Sequence, residues 1–393
     1  KIKPLIKMSF VAWKTLIILY SYIYTVIMNI MFLIILGRGL YAWILYIIDN
    51  IHQRLNMTIL KENNRFYSRS TPRPFKGGAY PRVNNRDNNI NFDQWIVGFT
   101  DGNGTFNIYI NKKNNKILFT YKLTQSIYNE QVLYKIKKHL GVGRIVKNNN
   151  LINLVITNKE HLVTKIIPIF DKYPLLTSKY FNYIKFKRAL NLSLLYSNTS
   201  NPLPSDRDKL ISDIQKIKDL TVEDLMKETN NKLIQSPAWN DLNYLKITSV
   251  KEVTNIVSKS WLIGFVEAEG SFFFTLKNTR KLVHTFGITQ KLDPIVLQAI
   301  KLIFHIKSNI RYTKQNAYYI ETTAQRSILN IIHYFITNDN TILFKGIKNL
   351  EFSIWKKTFF KYNHDYVKFY SHLKRIRELI IKLRNKHKFK DKE

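Results

Sequence analysis

Two distant stretches of this chain carry one pattern. Trp95-Ile-Val-Gly-Phe-Thr-Asp-Gly-Asn-Gly104-Thr-Phe is answered by Trp261-Leu-Ile-Gly-Phe-Val-Glu-Ala-Glu-Gly270-Ser-Phe. The echo continues downstream. Leu123-Thr124-Gln125 matches Ile288-Thr289-Gln290, Val132-Leu133 matches Val296-Leu297, and Ile166-Ile167 with Phe170 matches Ile331-Ile332 with Phe335. Lys179 pairs with Lys345 ahead of helices containing Phe186 and Phe352. A repeat of this length means two copies of one folded unit that bury a shared face.

Within each copy, apolar spacing switches between helical and alternating periods. Residues 105–110 alternate (Phe106, Ile108, Ile110), and a second strand is expected over 118–124. Residues 131–140 have helical spacing, stopped by Gly141-Val142-Gly143. The second copy repeats this over 271–276, 282–289 and 295–304. In Phe272-Phe273-Phe274, alternation puts Phe272 and Phe274 on one core-facing side. Trp95 and Trp261 read as core anchors of the motif helices.

The motif itself predicts a helix pair. Gly98-x3-Gly102 and Gly264-x3-Ala268 place small residues on one helix face, where a second helix can approach backbone to backbone. Gly104 and Gly270 are expected to end the helices in a left-handed conformation that glycine takes cheaply. If the faces meet, Asn103 and Glu269 stand opposite each other at adjoining C-terminal ends. Carboxylates paired at such a place would hold a divalent metal, aided by the negative ends of two helix dipoles.

The formal net charge is +35, which attracts a polyanion: nucleic acid first, an anionic membrane surface second. A Lys-, Asn- and Ile-rich composition also suits a very AT-rich gene, so codon bias contributes. There is no cysteine, which excludes disulfides, a thiolate nucleophile and Cys-bound zinc. The histidines are scattered, without a zinc-protease pair.

Outside the repeats, Thr15 to Leu36 is apolar and long enough to cross a bilayer, and a shorter apolar stretch, Leu40 to Ile48, follows Gly37-Arg38-Gly39. A membrane anchor and the remnant of an upstream reading frame are both open. The organisation expected is therefore a hydrophobic segment over 1–50, a basic flexible linker over 51–90, repeat one over 91–198, and a connector over 199–240 with one charged helix from Asp206 to Leu225. Repeat two follows over 241–365, with a basic helix over 366–393 that lies on phosphate or on the protein body.

The paired motifs resemble the signatures of the LAGLIDADG family, the homing endonucleases and RNA maturases encoded by group I introns of fungal mitochondria. The resemblance covers both repeats. It implies an α+β fold of two pseudo-symmetric αββαββα repeats, with the motif helices as interface and two antiparallel sheets forming a saddle along a nucleic-acid duplex. It implies that the last acidic position of each motif is catalytic, here Asn103 and Glu269, with Mg2+ as cofactor where the nuclease site is active. It further implies a strand-borne glutamine and a downstream lysine near the scissile phosphates in each repeat, here Gln125 with Gln290 and Lys179 with Lys345; the two glutamines are read at strand positions that face the saddle. Asp101 and Glu267 occupy the more structural acidic position at the interface of Gly98, Gly102, Gly264 and Ala268.

Asn103 departs from the pattern, because an amide contributes no charge. That favours an RNA maturase that stabilises its own group I intron RNA. The alternative is a homing endonuclease on a double-stranded DNA target, weak or nicking because of Asn103. A membrane-anchored protein that merely kept the fold is the third reading. The chain is expected in the mitochondrion, as a monomer with internal pseudo-dimer symmetry, with Thr15–Leu36 a candidate contact to the inner membrane.

Overall fold

The computed structural model describes residues 90–378 apart from 112, 198–203, 229–234, 241, 243–245, 278–280, 363–369, 371 and 377. The expectations for Thr15–Leu36, Leu40–Ile48 and the linker through residue 89 lie outside the described residues, as does the part of the basic C-terminal helix expected beyond residue 378. Among the described residues, no helix is long and apolar enough to cross a membrane.

The first motif helix, α1 (Phe92–Asn103), begins where the Asn91 side chain accepts the Gln94 N–H at 3.0 Å. It runs directly into β1 (Gly104–Asn111), which turns into β2 (Lys116–Ser126). Next come α2 (Glu130–Leu140), β3 (Arg144–Asn148) and β4 (Leu151–Ile156). A bent helix, α3, covers 159–172 with a π turn at Leu162–Ile166, and α4 (Lys179–Ser197) closes the repeat. Gly141 ends α2 with φ 72°, the left-handed stop that its sequence predicts.

The connector holds two helices, α5 (Pro204–Asp219) and α6 (Val222–Glu228), rather than the single one expected. The break is a reciprocal cap: Thr221 N–H and Oγ1 donate to Asp224 at 2.9 and 2.7 Å, and Asp224 N–H donates back to Thr221 Oγ1 at 3.1 Å. A short helix, α7 (Val250–Ile256), leads into repeat two. That repeat runs α8 (Lys259–Glu269), β5 (Gly270–Lys277), β6 (Lys281–Gln290), α9 (Pro294–Ile303), β7 (Arg311–Tyr312), β8 (Tyr318–Thr322), α10 (Gln325–Tyr334) and α11 (Lys348–Tyr362).

Each repeat carries a four-stranded antiparallel sheet, ordered β1-β2-β4-β3 and β5-β6-β8-β7. One face of each sheet is covered by helices. Phe106, Ile108, Phe119, Tyr121 and Leu123 point inward in the first, and Phe272, Phe286 and Ile288 in the second. Phe272 is buried and Phe274 partly so, whereas Phe273 is 37% exposed, as alternation requires.

Beneath the sheets, Phe106 meets Phe170, Tyr183 and Phe186, and Phe272 meets Phe335, Phe352 and Trp355. Tyr183 thus corresponds to Phe352 and Phe186 to Trp355, which corrects the sequence pairing of Phe186 with Phe352. Near the C-terminus, Leu373 is fully buried against Tyr362 and Leu282, so the described part of that helix lies on the protein body.

The motif helices α1 and α8 meet backbone to backbone. A Cβ on Gly98 would fall 1.9 Å from the Trp261 carbonyl oxygen, and one on Gly264 2.0 Å from that of Trp95. Trp95 stacks on Phe99 and Trp261 on Phe265 within each helix, burying both tryptophans. Gly104 and Gly270 are not left-handed: their φ values are −89° and −70°, ordinary extended backbone. They are glycine because a Cβ would sit 2.3 Å from Thr100 Cγ2 and 2.5 Å from Val266 Cγ1, where the chain turns sharply from helix into strand.

Candidate active site

The tight crossing brings the C-terminal ends of α1 and α8 together. A Cβ on Gly102 would stand 2.4 Å from the Ala268 Cβ and 3.2 Å from Glu269 Oε1, so the Glu269 carboxylate lies against the first motif helix. Asn103 is the next residue on that helix, and both Asn103 and Glu269 are half-buried. Burial raises the Glu269 pKa, while Lys179 and Lys348 oppose the rise by favouring its charged form.

Two residues before Asn103 and Glu269, respectively, Asp101 and Glu267 hold backbone N–H groups of the loops that follow. Asp101 is fully buried and accepts the Leu176 and Thr177 N–H groups at 2.9 and 3.1 Å, the Thr177 hydroxyl, and Trp261 Nε1–H at 2.7 Å. Glu267 accepts the Lys345 and Gly346 N–H groups at 2.6 and 3.1 Å. The longer acid faces glycine where the shorter one faces threonine, and a Cβ on Gly346 would stand 3.0 Å from Glu267 Oε1. Burial raises the pKa of both, and their hydrogen bonds oppose it.

These anchors fix the helices that follow. Lys179, first residue of α4, donates through Nζ to the carbonyls of Thr100, at 3.1 Å, and Gly102. Lys348, first residue of α11, donates to the Gly270 carbonyl. A cation at a helix C-terminus is favoured by the negative end of the helix dipole. Lys348, not Lys345, is therefore the counterpart of Lys179; Lys345 serves through its backbone. The true alignment was visible in Leu175-x3-Lys179 beside Phe344-x3-Lys348.

Gln125 and Gln290 lie at the ends of β2 and β6, but not on the outward face. Gln125 pairs with the inward residue Ile152, and Gln290 shares the parity of Phe286 and Ile288. Each is held by a residue the sequence reading missed. Asn129 Nδ2 donates to Gln125 Oε1 at 3.1 Å, and Gln290 Nε2 donates to Asp293 at 3.3 Å. Those partners cross the pseudo-dyad. Asn129 accepts the Ile347 N–H at 2.8 Å, and Asp293 accepts Ser178 N–H at 2.7 Å and its hydroxyl at 3.1 Å. Each repeat thus holds the loop that carries the other's lysine. The signal was a polar residue three or four places beyond each glutamine.

Among the described residues, no cluster of three or more His, Cys, Asp or Glu side chains is built to hold a metal alone. One half-buried carboxylate beside an amide suits a cation that keeps waters and takes phosphate oxygens as further ligands.

A family model described as LAGLIDADG endonuclease matches residues 96–190 and 262–359. The chain is 34% identical to "Probable intron-encoded endonuclease Cox1-I1b" of Schizosaccharomyces pombe, over 82% of this chain and 76% of that one. It is 28% identical to "Uncharacterized mitochondrial protein RF1" of Saccharomyces cerevisiae, over 70% of this chain and 56% of that one. Among solved structures, the homing endonuclease I-GzeII in complex with its DNA target aligns with TM-score 0.58 at 23% identity, covering 74% of this chain and 98% of that one. I-SmaMI, described as bound to uncleaved DNA in the presence of calcium ions, aligns with TM-score 0.54 at 24% identity, covering 73% and 97%. At these identities the structural likeness bears on fold.

Proposed function

The chain belongs to the LAGLIDADG endonuclease family, and from that premise we propose that it is an intron-encoded mitochondrial protein that binds a DNA duplex and nicks one strand. The observation that carries this reading is the unequal joint of the motif helices: a carboxylate, Glu269, closes one, and a neutral amide, Asn103, closes the other. The names of the relatives and the DNA-bound neighbours support a nuclease on DNA, and the name of the Saccharomyces cerevisiae relative supports the mitochondrial setting.

Glu269 and the Asn103 amide oxygen would hold a divalent cation, Mg2+ in this reading. Such an ion would activate water and stabilise the leaving oxygen of a phosphodiester. With one carboxylate where two are usual, charge at the joint is halved and affinity falls on the Asn103 side. Lys179 and Lys348 favour the charged form of Glu269 against its burial, bond carbonyls at the helix ends, and favour a phosphate near the joint. Gln125 and Gln290 would supply amide groups able to meet water or phosphate oxygen.

The test uses a supercoiled plasmid carrying the exon sequence that the intron interrupts. Nicked circles should accumulate with little linear product, Glu269→Gln should abolish nicking, and Asn103→Asp should convert nicks to double-strand breaks. Efficient linearisation by the unaltered protein would overturn the reading.

A second reading, assistance to splicing of its own group I intron RNA, is favoured by Asn103 and by the +35 charge. RNA docking spreads over many phosphate contacts and needs no charge at the joint. Splicing assistance would therefore survive Glu269→Gln, and its loss in that folded variant would sink this reading.

A further inference from the structure

The outward faces of the two sheets, the ones turned away from the helices, occupy equivalent positions but carry different chemistry. Register allows a position-by-position comparison. Asn107, opposite Thr120 in the first sheet, corresponds to Phe273, opposite Thr285 in the second. Lys122, opposite Val155, corresponds to Gly287, opposite Glu321. Asn153, opposite Thr124, corresponds to Tyr319, opposite Thr289. Arg144, which lies beyond Val155 on β3, has no counterpart, because β7 pairs only through Arg311 and Tyr312.

The first face thus offers a lysine, an arginine and asparagine amides, the groups that hydrogen-bond to base edges in a major groove. The second offers little of this. Phe273 lies across Gly287, with a ring carbon 3.1 Å from where a Cβ would be, and Thr285 beside it is 1% exposed. The Thr285 hydroxyl donates to Thr275 at 2.7 Å, and Lys277 donates to Thr323 at 2.7 Å. Arg311 is hydrogen-bonded to Tyr319 and drawn to Glu321, a carboxylate that repels phosphate. The asymmetry is therefore of donors as well as of charge.

Resting on the DNA reading above, we propose that target recognition is one-sided: the first repeat reads base sequence in its half of the site, and the second grips its half with little base discrimination. Such a protein tolerates drift of one half-site while the other stays fixed.

The experiment selects bound duplexes from a library randomised across the whole site length, using the full chain, and sequences them. Information should concentrate in one half. Single mismatches there should weaken binding by ~10-fold or more, against about threefold or less in the other half. Lys122→Ala with Arg144→Ala, both on the sheet surface, should flatten the informative half and leave the other unchanged. Equal information in both halves would overturn the inference, as would an informative half that responds to Lys277→Ala and Tyr319→Ala instead. Selection of no sequence at all would overturn the DNA reading itself, and this inference with it. The two failures are thus distinguishable.

Discussion

The Asp293 carboxylate accepts the Ser178 backbone N–H at 2.7 Å and the Ser178 hydroxyl at 3.1 Å, so the second repeat holds the residue preceding Lys179 in the first. Asp293 is 1% exposed. Its mirror, Asn129, does the same for Ile347 with an uncharged amide, so charge is not needed for this contact.

Asp293→Ala therefore strands the part-buried Ser178 N–H and frees Gln290. It should cost about 1–3 kcal/mol of stability and weaken nicking by loosening Lys179. Asp293→Asn should recover most of both, with Gln290 turning its amide as Gln125 does towards Asn129. Thermal melts and nicking rates of the two variants check this. Equal damage from both would mean that the charge itself matters.

The helix crossing gives a second prediction. At Gly264 even a methyl group would enter the Trp95 carbonyl, at 2.0 Å, and come within 3.0 Å of the Phe99 backbone nitrogen, so backbone has to shift. Gly264→Ala should cost about 3 kcal/mol or more, because overpacking here means moving backbone. A Gly264→Ala protein melting within a degree or two of the parent would show that the helices do not meet as described.

These two sites mark the limit of what the residues alone disclose. The Gly98 and Gly264 contact was legible because small-residue spacing on a helix has one main structural use. The alternation of Phe106 to Ile110 and of Phe272 to Phe274 was legible for the same reason. The Asp293–Ser178 link was not, since it joins residues in different repeats through a dyad that no local pattern encodes. Lys348 was missed for another cause: spacing drifts between the copies, and Lys345 lies within that drift. Gln125 and Gln290 were assigned to the wrong face because strand parity was not counted out to the strand end.

Acid sensitivity should be traceable to His284. It is buried, bonded to Thr358 at 3.0 Å and ringed by Phe274, Trp355 and Phe359, and burial pushes its pKa down to about 3. The unfolded chain binds a proton near pH 6.5 that the folded chain refuses, so stability falls as pH drops from about 6.5 towards 3. The full effect is about 5 kcal/mol as an upper limit. Asp293 acts oppositely, since burial pushes its pKa up to about 6: its contribution is full below about pH 4 and lost as pH rises through 6. His284→Phe should therefore flatten the acid limb of a melting-temperature profile, and Asp293→Asn should steepen it. An unchanged acid limb in His284→Phe would remove His284 from the account.

The last prediction separates two neighbouring lysines. Lys348 places its ammonium on the Gly270 carbonyl at the end of α8 and favours the charged form of Glu269. Lys345 contributes its N–H to Glu267 and its carbonyl to Lys135, and alanine retains both of those backbone groups. Lys348→Ala removes a cation from a helix C-terminus and from beside a half-buried carboxylate, which should cost on the order of 1 kcal/mol of stability. Nicking should fall tenfold or more, because Glu269 then holds its charge less readily. Lys345→Ala should stay within about 0.5 kcal/mol of the parent, because the half-buried side chain is lost while both backbone hydrogen bonds stay. Nicking should stay within threefold. Melts and plasmid nicking on the two variants, run together, decide the matter. If Lys345→Ala is as damaging as Lys348→Ala, the side chain at 345 reaches the nucleic acid, and pairing Lys179 with Lys348 alone is wrong.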